Sequence, residues 1–178
     1  MMMIRHNNTH SKTDFCWFAV YVRSRFEIKV ANMLLSSGIE TFVATVERLR
    51  QWKDRKKLVS FPLFPGYIFV HIDKSPQSRL SVLKTKGVIR FIEMIPGKPV
   101  PLPEEQILSL KTLVENKAHL DPYPYLKEGS PVRIRTGPFS GIEGVLVRKR
   151  DKHLLVLSVD VLQKGVALSI SASEVEKI

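Results

Sequence analysis

The chain has a single cysteine, Cys16, in 178 residues, which excludes an internal disulfide. No apolar run approaches the length of a membrane-spanning helix, so no membrane partner is expected. The five histidines, His6, His10, His71, His119 and His153, are scattered with no cysteine or acid cluster beside them. A nucleophile with its base, a pair of carboxylates or a metal-ligand set is therefore missing, and neither an enzyme nor a metal or other cofactor is expected. Cys16 lies in an apolar run and reads as a small core residue rather than a nucleophile. Acidic residues are also scarce, 17 against 28 Lys and Arg, for a net charge of +11 and a pI near 9.9. Such an excess favours a polyanionic partner, nucleic acid ahead of an anionic membrane, through a long-range field. Residues 1–14 are polar and lack a hydrophobic signal core, so a flexible tail and a cytoplasmic protein are expected.

What is present centres on Phe61-Pro-Leu-Phe-Pro-Gly-Tyr-Ile-Phe-Val-His-Ile72. Pro62 and Pro65 fix their own backbone angle and push the preceding residue into an extended state, and Gly66 permits a sharp reversal before an apolar strand. Tyr67, Phe69 and His71 share one face of that strand, and Ile68, Val70 and Ile72 the other. With the aliphatic face on the core, the aromatic face is either ordinary sheet packing or a docking patch for another protein.

Taken in order, residues 16–22 are aromatic and β-branched and predict a buried strand. Phe26, Val30, Met33 and Leu34 recur at helical spacing while Arg25, Glu27 and Lys29 point elsewhere, and Gly38 supplies a stop. Residues 39–46 read as a second strand. The basic run through Arg48, Arg50, Trp52, Lys53, Arg55, Lys56 and Lys57 reads as a hairpin tip, either merely solvated or a phosphate-contacting arm with one stacking aromatic. Ser75-Pro76 predicts an N-cap and first helical residue for a helix to Lys84, closed by Gly87. A strand over 88–95 and a helix opening at Pro103-Glu-Glu follow, with Ile107, Leu110, Leu113 and Val114 as its buried stripe. The mixture predicts an α+β chain whose first domain, 15–117, is an α/β sandwich of a mainly antiparallel sheet with flanking helices. Prolines within 118–126 predict an extended linker. Residues 127–178 show short strands with glycine turns and no helical period, as in a small five-stranded β-barrel. Charge concentrates in the first domain, 17 basic against 9 acidic residues over 15–117, so a nucleic-acid face belongs there.

Trp17-Phe-Ala-Val-Tyr21, Pro62-Leu-Phe-Pro-Gly-Tyr67 and the run from Gly129 through Arg133, Gly137, Phe139 and Gly141 to Gly144 resemble the NusG family of transcription elongation factors. The first two are similar to its N-terminal (NGN) domain and the last to its KOW domain. The Arg50-Gln-Trp-Lys-Asp-Arg-Lys-Lys57 hairpin and Pro124-Tyr-Leu-Lys-Glu-Gly129 look more like the specialised RfaH/UpxY-type paralogues than the general factor.

The resemblance implies a factor that binds RNA polymerase, setting an aromatic-lined pocket, here Trp17, Tyr21, Tyr67, Phe69 and Phe91, against the clamp helices of the β′ subunit and bridging towards the β subunit. A clamp held shut resists pausing, a matter of differential affinity for two polymerase states with no bond made or broken. Specialised members also touch the non-template DNA strand, which implicates Arg23, Arg25, Lys29 and Lys86. Where such relatives carry His-Thr-Thr towards the β subunit, this chain has Ser78-Arg79-Leu80. The KOW domain implies a ribosomal protein of the small subunit or Rho as partner, with Phe139 and Ile142 at the turn as anchors or, for Phe139, as a ring folded back over the barrel end. Some RfaH proteins store this domain as a helical hairpin; Gly137, Gly141, Gly144 and the β-branched strands predict a barrel here. The implied factor is a monomer acting on specific long operons such as polysaccharide clusters. A general NusG-type factor, or a KOW-containing RNA-binding ribosomal protein, is the alternative.

Overall fold

The computed structural model describes residues 15–51, 54–124, 129–149 and 152–178. The expected tail over 1–14, the hairpin-tip residues Trp52 and Lys53, and the last residues of the expected linker lie outside the described residues. The first unit runs β1 (Cys16–Val22), α1 (Glu27–Ser36), β2 (Glu40–Phe42), β3 (Thr45–Gln51), β4 (Lys56–Pro62), β5 (Tyr67–Ile72), α2 (Pro76–Leu83), β6 (Val88–Phe91), β7 (Glu93–Ile95), β8 (Lys98–Pro99), β9 (Pro101–Leu102) and α3 (Glu104–Glu115). Its main sheet has the order β2-β5-β1-β6, with β9 also pairing β1, and all pairings are antiparallel.

Alternation along β1 and β5 assigns the two faces. Phe18, Val20 and Val22 join Ile68, Val70 and Ile72 under Val30 and Leu34 of α1 and Val82 of α2. Trp17, Ala19 and Phe69 face the other way, onto Ile107, Leu110 and Leu113 of α3. The sheet is thus buried on both sides by helices, which is why β1 is apolar almost throughout. Helix α2 begins as its sequence predicts, the Ser75 hydroxyl accepting from the Ser78 N–H with Pro76 in the first turn.

The second unit comprises β10 (Leu120–Pro124), β11 (Ser130–Ile134), β12 (Glu143–Lys149), β13 (Lys152–Val159), β14 (Lys164–Ile170) and β15 (Val175–Lys177). These form one antiparallel sheet in the order β10-β14-β13-β12-β11-β15. Its inward residues, among them Val132, Ile134, Leu155, Val166 and Leu168, share a core, consistent with a small barrel built of strands rather than a helical hairpin. Residues 127–178 supply the five strands expected of them, β11 to β15. One expectation is corrected: Leu120–Pro124, expected as linker, adds a sixth strand at the edge of their sheet, with Leu120 opposite Leu168 and Tyr123 opposite Gly165. Prolines at 122 and 124 are compatible with an edge, where a missing N–H leaves no central ladder broken.

Candidate functional site

The turn at Gly66 organises the first unit. Its φ is +83°, a conformation that glycine adopts without strain, and its carbonyl accepts from the Val22 N–H at 2.9 Å. Its N–H donates to the Glu27 carboxylate at 2.7 Å. Glu27, read from the sequence as pointing away from the core, is in fact buried, 5% exposed. It heads the stripe Glu27, Val30, Ala31, Leu34, and a carboxylate at the first turn of α1 is favoured by the helix dipole. The turn is thereby locked between β1 and α1.

From that turn the two tyrosines emerge. Tyr21 and Tyr67 are cross-strand partners, half-buried, with ring centroids 5.3 Å apart at 52°. The Arg90 guanidinium lies 5.8 Å from the Tyr21 ring. The remaining aromatic residues expected in this pocket are core residues, which corrects the reading of them as surface contacts. Trp17 is 4% exposed and Phe69 is fully buried. Phe69 is packed by Phe42 and edge-on by Phe64, and α3 covers the face they share. Phe91 is paired with Val20 and so faces α1 and α2, on the opposite side from the tyrosines, where it meets Phe18 edge-on.

Trp17 has a polar fringe at the sheet edge. His71 stacks on it at 4.8 Å and the Lys111 ammonium lies 4.4 Å from its ring. Glu40 ties the two side chains together, accepting from His71 Nδ1 at 2.8 Å and Lys111 Nζ at 3.0 Å. Desolvation raises the Glu40 pKa, but the hydrogen bonds from Lys111 and His71 and their charges outweigh it and hold it below its ordinary value of 4.5. A carboxyl depressed in the folded state contributes stability above its unfolded pKa, and loses it as pH falls through the folded value. Thermal melts across that acidic window should therefore show a smaller loss for Glu40→Gln than for the native chain; equal losses would mean that the cluster does not couple to folding.

The basic residues fall into separate groups. Arg23, Arg25, Lys29 and Lys86 are exposed at one end of the sheet. The Arg23 N–H donates to the Gly87 carbonyl, and Arg23 and Lys29 lie 5.1 and 5.4 Å from the Phe26 ring. Among the described residues none of the four has an acidic partner. On the β3–β4 hairpin, Arg50 lies over Phe61 and Arg55 is exposed. Arg48 is engaged elsewhere: it forms an ion pair with Asp121 at 2.6 Å and donates to the Leu120 carbonyl, clasping the hairpin to β10. In the barrel, Phe139 is half-buried against the core. Ile142 is buried, 5% exposed, because its carbonyl and that of Phe139 close the turn onto Ile134 and Ile142. It is therefore a core residue rather than a partner anchor.

The barrel lies against the first unit. Lys164 sets its ammonium 5.7 Å from the Tyr67 ring, and Gln106 of α3 donates to the Ser158 carbonyl at 2.6 Å. Nothing in the sequence marked Lys164 or Gln106, since pairs this far apart have no periodicity. Lys111 carried a weak signal, standing one turn after the buried Ile107.

The family model described as transcription termination factor nusG matches residues 15–111, more than half of the chain and the unit that holds both tyrosines. The transcription termination/antitermination protein NusG of Borreliella burgdorferi is 25% identical over 181 residues, 91% of this chain and 98% of that protein. Its Staphylococcus aureus counterpart (strain Mu50) is 30% identical over 175 residues, 91% of this chain and 95% of that one. The chain belongs to the NusG family. A solved NusG structure from Thermotoga maritima, reported for its domain interaction, is similar in fold with a TM-score of 0.52 at 24% identity, over 93% of this chain and 98% of that chain. The NusG match accounts for the two-unit order seen here, a helix-flanked sheet followed by a barrel. Among the described residues no group of His, Cys, Asp and Glu could hold a metal ion, and no helix is long and apolar enough to cross a membrane.

Proposed function

We propose that this NusG-family chain is a cytoplasmic transcription elongation factor that binds RNA polymerase through its first unit, suppresses pausing and termination, and recruits a partner through its barrel. It performs no bond chemistry: it binds the closed-clamp state of the polymerase better than the open one, and the ratio of those affinities is its whole effect. The observation that carries this reading is the half-buried Tyr21–Tyr67 pair, on a sheet made rigid from both sides. Paired aromatic rings in a partly desolvated setting are the usual anchors of a protein interface. The β′ clamp helices are the proposed contact. Arg23, Arg25, Lys29 and Lys86, exposed and without an acidic partner among the described residues, suit the phosphates of the non-template strand, as do Arg50 and Arg55 of the hairpin. Phe139 is the proposed barrel contact with a small-subunit ribosomal protein or Rho. Within the family we assign the chain to the specialised RfaH/UpxY-type paralogues that serve long operons, acting as a monomer; the support is the basic hairpin.

Tyr67→Ala is expected to weaken binding to an elongation complex by about 2 kcal/mol, roughly 30-fold, as for an interface hot spot, while leaving the melting temperature nearly unchanged. Phe69→Ala, which removes a buried ring, should instead lower the melting temperature. Native binding by folded Tyr67→Ala would sink the reading.

A further inference from the structure

Arg90 stands beside the tyrosine pair without a counter-charge. It is the cross-strand partner of Tyr21 on β6, the outer strand of the main sheet, and it is exposed. Phe91 packs towards α1 and α2, so Arg90, one residue before it on the strand, points to the tyrosine side. There its guanidinium lies 5.8 Å from the centroid of the Tyr21 ring. Stacking on a ring steadies the planar fork of an arginine while its N–H donors stay open to a ligand. Arg90 has no ion pair among the described residues. The barrel does not supply one: what it sets over the neighbouring Tyr67 ring is a second cation, Lys164. Tyrosine and arginine are also the residue types that carry most of the binding energy at protein interfaces.

We propose that the polymerase segment seated on Tyr21 and Tyr67 presents a carboxylate to Arg90, so that this arginine selects for an acidic partner surface. The inference rests on the polymerase reading above and adds the partner's chemistry to it. The side of the sheet favours a protein acid over a phosphate. Tyr21 and Tyr67 pack on the α3 side, whereas Phe26, with Arg23 and Lys29 over its ring, packs on the α1 side. Arg90 follows Tyr21 and is therefore on the opposite side from the Phe26 group. The two tyrosines select by apolar area, to which many surfaces conform. A forked pair between guanidinium and carboxylate adds a requirement of charge and direction.

The test measures binding of the intact chain to an elongation complex assembled on a nucleic-acid scaffold. Arg90→Gln is expected to weaken it about tenfold, and Arg90→Lys, which keeps the charge and loses the fork, about threefold. Arg90→Glu should fall well below Arg90→Gln, because it sets like charges together. The deficit of Arg90→Gln should narrow as salt is raised, while its melting temperature stays nearly native, as for an exposed site. Lys177→Gln, an exposed charge on the barrel, controls for net charge and should bind as the native chain does. Loss of binding in Tyr67→Ala with native binding in Arg90→Gln and Arg90→Glu would overturn the inference and leave the polymerase reading standing. Native binding by all three would overturn both. Tighter binding by Arg90→Glu would mean a basic partner surface and overturn the inference as well. So would an equal loss by Arg90→Gln for single-stranded oligothymidylate without polymerase, which would put Arg90 with the phosphate contacts. Should Arg90→Gln fail to fold, Arg90→Lys measured against Lys177→Gln decides: a loss confined to Arg90→Lys upholds the inference, and equal binding overturns it.

Discussion

Glu27→Leu is expected to lower the stability of the first unit by about 3 kcal/mol, and Gly66→Ala by a similar amount for a different reason. Leucine fills the space of Glu27 but removes the acceptor at 2.7 Å from the Gly66 N–H, leaving a buried donor unmade at a cost of about 1–3 kcal/mol on top of a lost charge-assisted bond. Alanine at Gly66 leaves the bond formed and strains the backbone, since φ is +83° and an added Cβ would stand 2.9 Å from Tyr21 Cε2; left-handed strain contributes about 1–2 kcal/mol and displacement of the ring the rest. Glu27→Gln, which retains an acceptor oxygen and loses only the charge, should cost about 1 kcal/mol. Thermal unfolding ranks the three: with roughly 2–4 °C per kcal/mol for a chain of this size, the first two should melt some 10 °C lower. Gly66→Ala should also shift the Tyr21 ring and so weaken polymerase binding in protein that remains folded, whereas Glu27→Gln should not. A melting temperature unchanged in Glu27→Leu would show that the turn holds itself and that the buried carboxylate is incidental.

That the turn would organise the chain was legible in the sequence, because prolines at 62 and 65, a glycine and an alternating strand each constrain the backbone locally. The helices were legible for the same reason, Ser75-Pro76 above all. What the sequence could not supply is what covers a face. Tyr67, Phe69 and His71 do share one side of β5, but whether that side meets solvent depends on α3, which returns to it from some forty positions on. The result is that Phe69 and Trp17 are packed while Tyr67 and Tyr21, nearer the turn, stay half open. Phe91 illustrates the other limit: its face is set by the register against Val20, and a one-residue difference in register would have turned it over. The prolines of 122 and 124 dictate extension, yet extension serves a linker and an edge strand equally; the pairing with β14 chose the strand. Glu27 was misread because charge outweighed position, although its spacing to Val30, Ala31 and Leu34 places it at the head of the buried stripe.

Loosening the barrel from the first unit is expected to strengthen polymerase binding, the opposite sign to the loss caused by Tyr67→Ala. In the present arrangement the ring proposed to meet the polymerase already has a neighbour, Lys164 at 5.7 Å, and Gln106 holds Ser158 of the same barrel at 2.6 Å. A partner that needs the Tyr67 face must displace the barrel, and its apparent affinity falls by the fraction of molecules in which that face is free. Gln106→Ala removes a hydrogen bond of about 1 kcal/mol and Lys164→Ala a cation–π contact of about the same size. Together they should shift the balance towards the free face by roughly 30-fold. Neither residue lies in the proposed polymerase contact, so binding to an elongation complex should tighten by up to that factor while each unit keeps its fold. Accessibility of Tyr67 to a phenol-modifying reagent should rise in the same variant without any polymerase present. An increase in accessibility with no gain in binding would mean that the polymerase approaches from another side. No increase in either would mean that the Arg48–Asp121 clasp is by itself enough to hold the barrel in place, a possibility that adding Arg48→Ala to the pair would resolve by raising both readings.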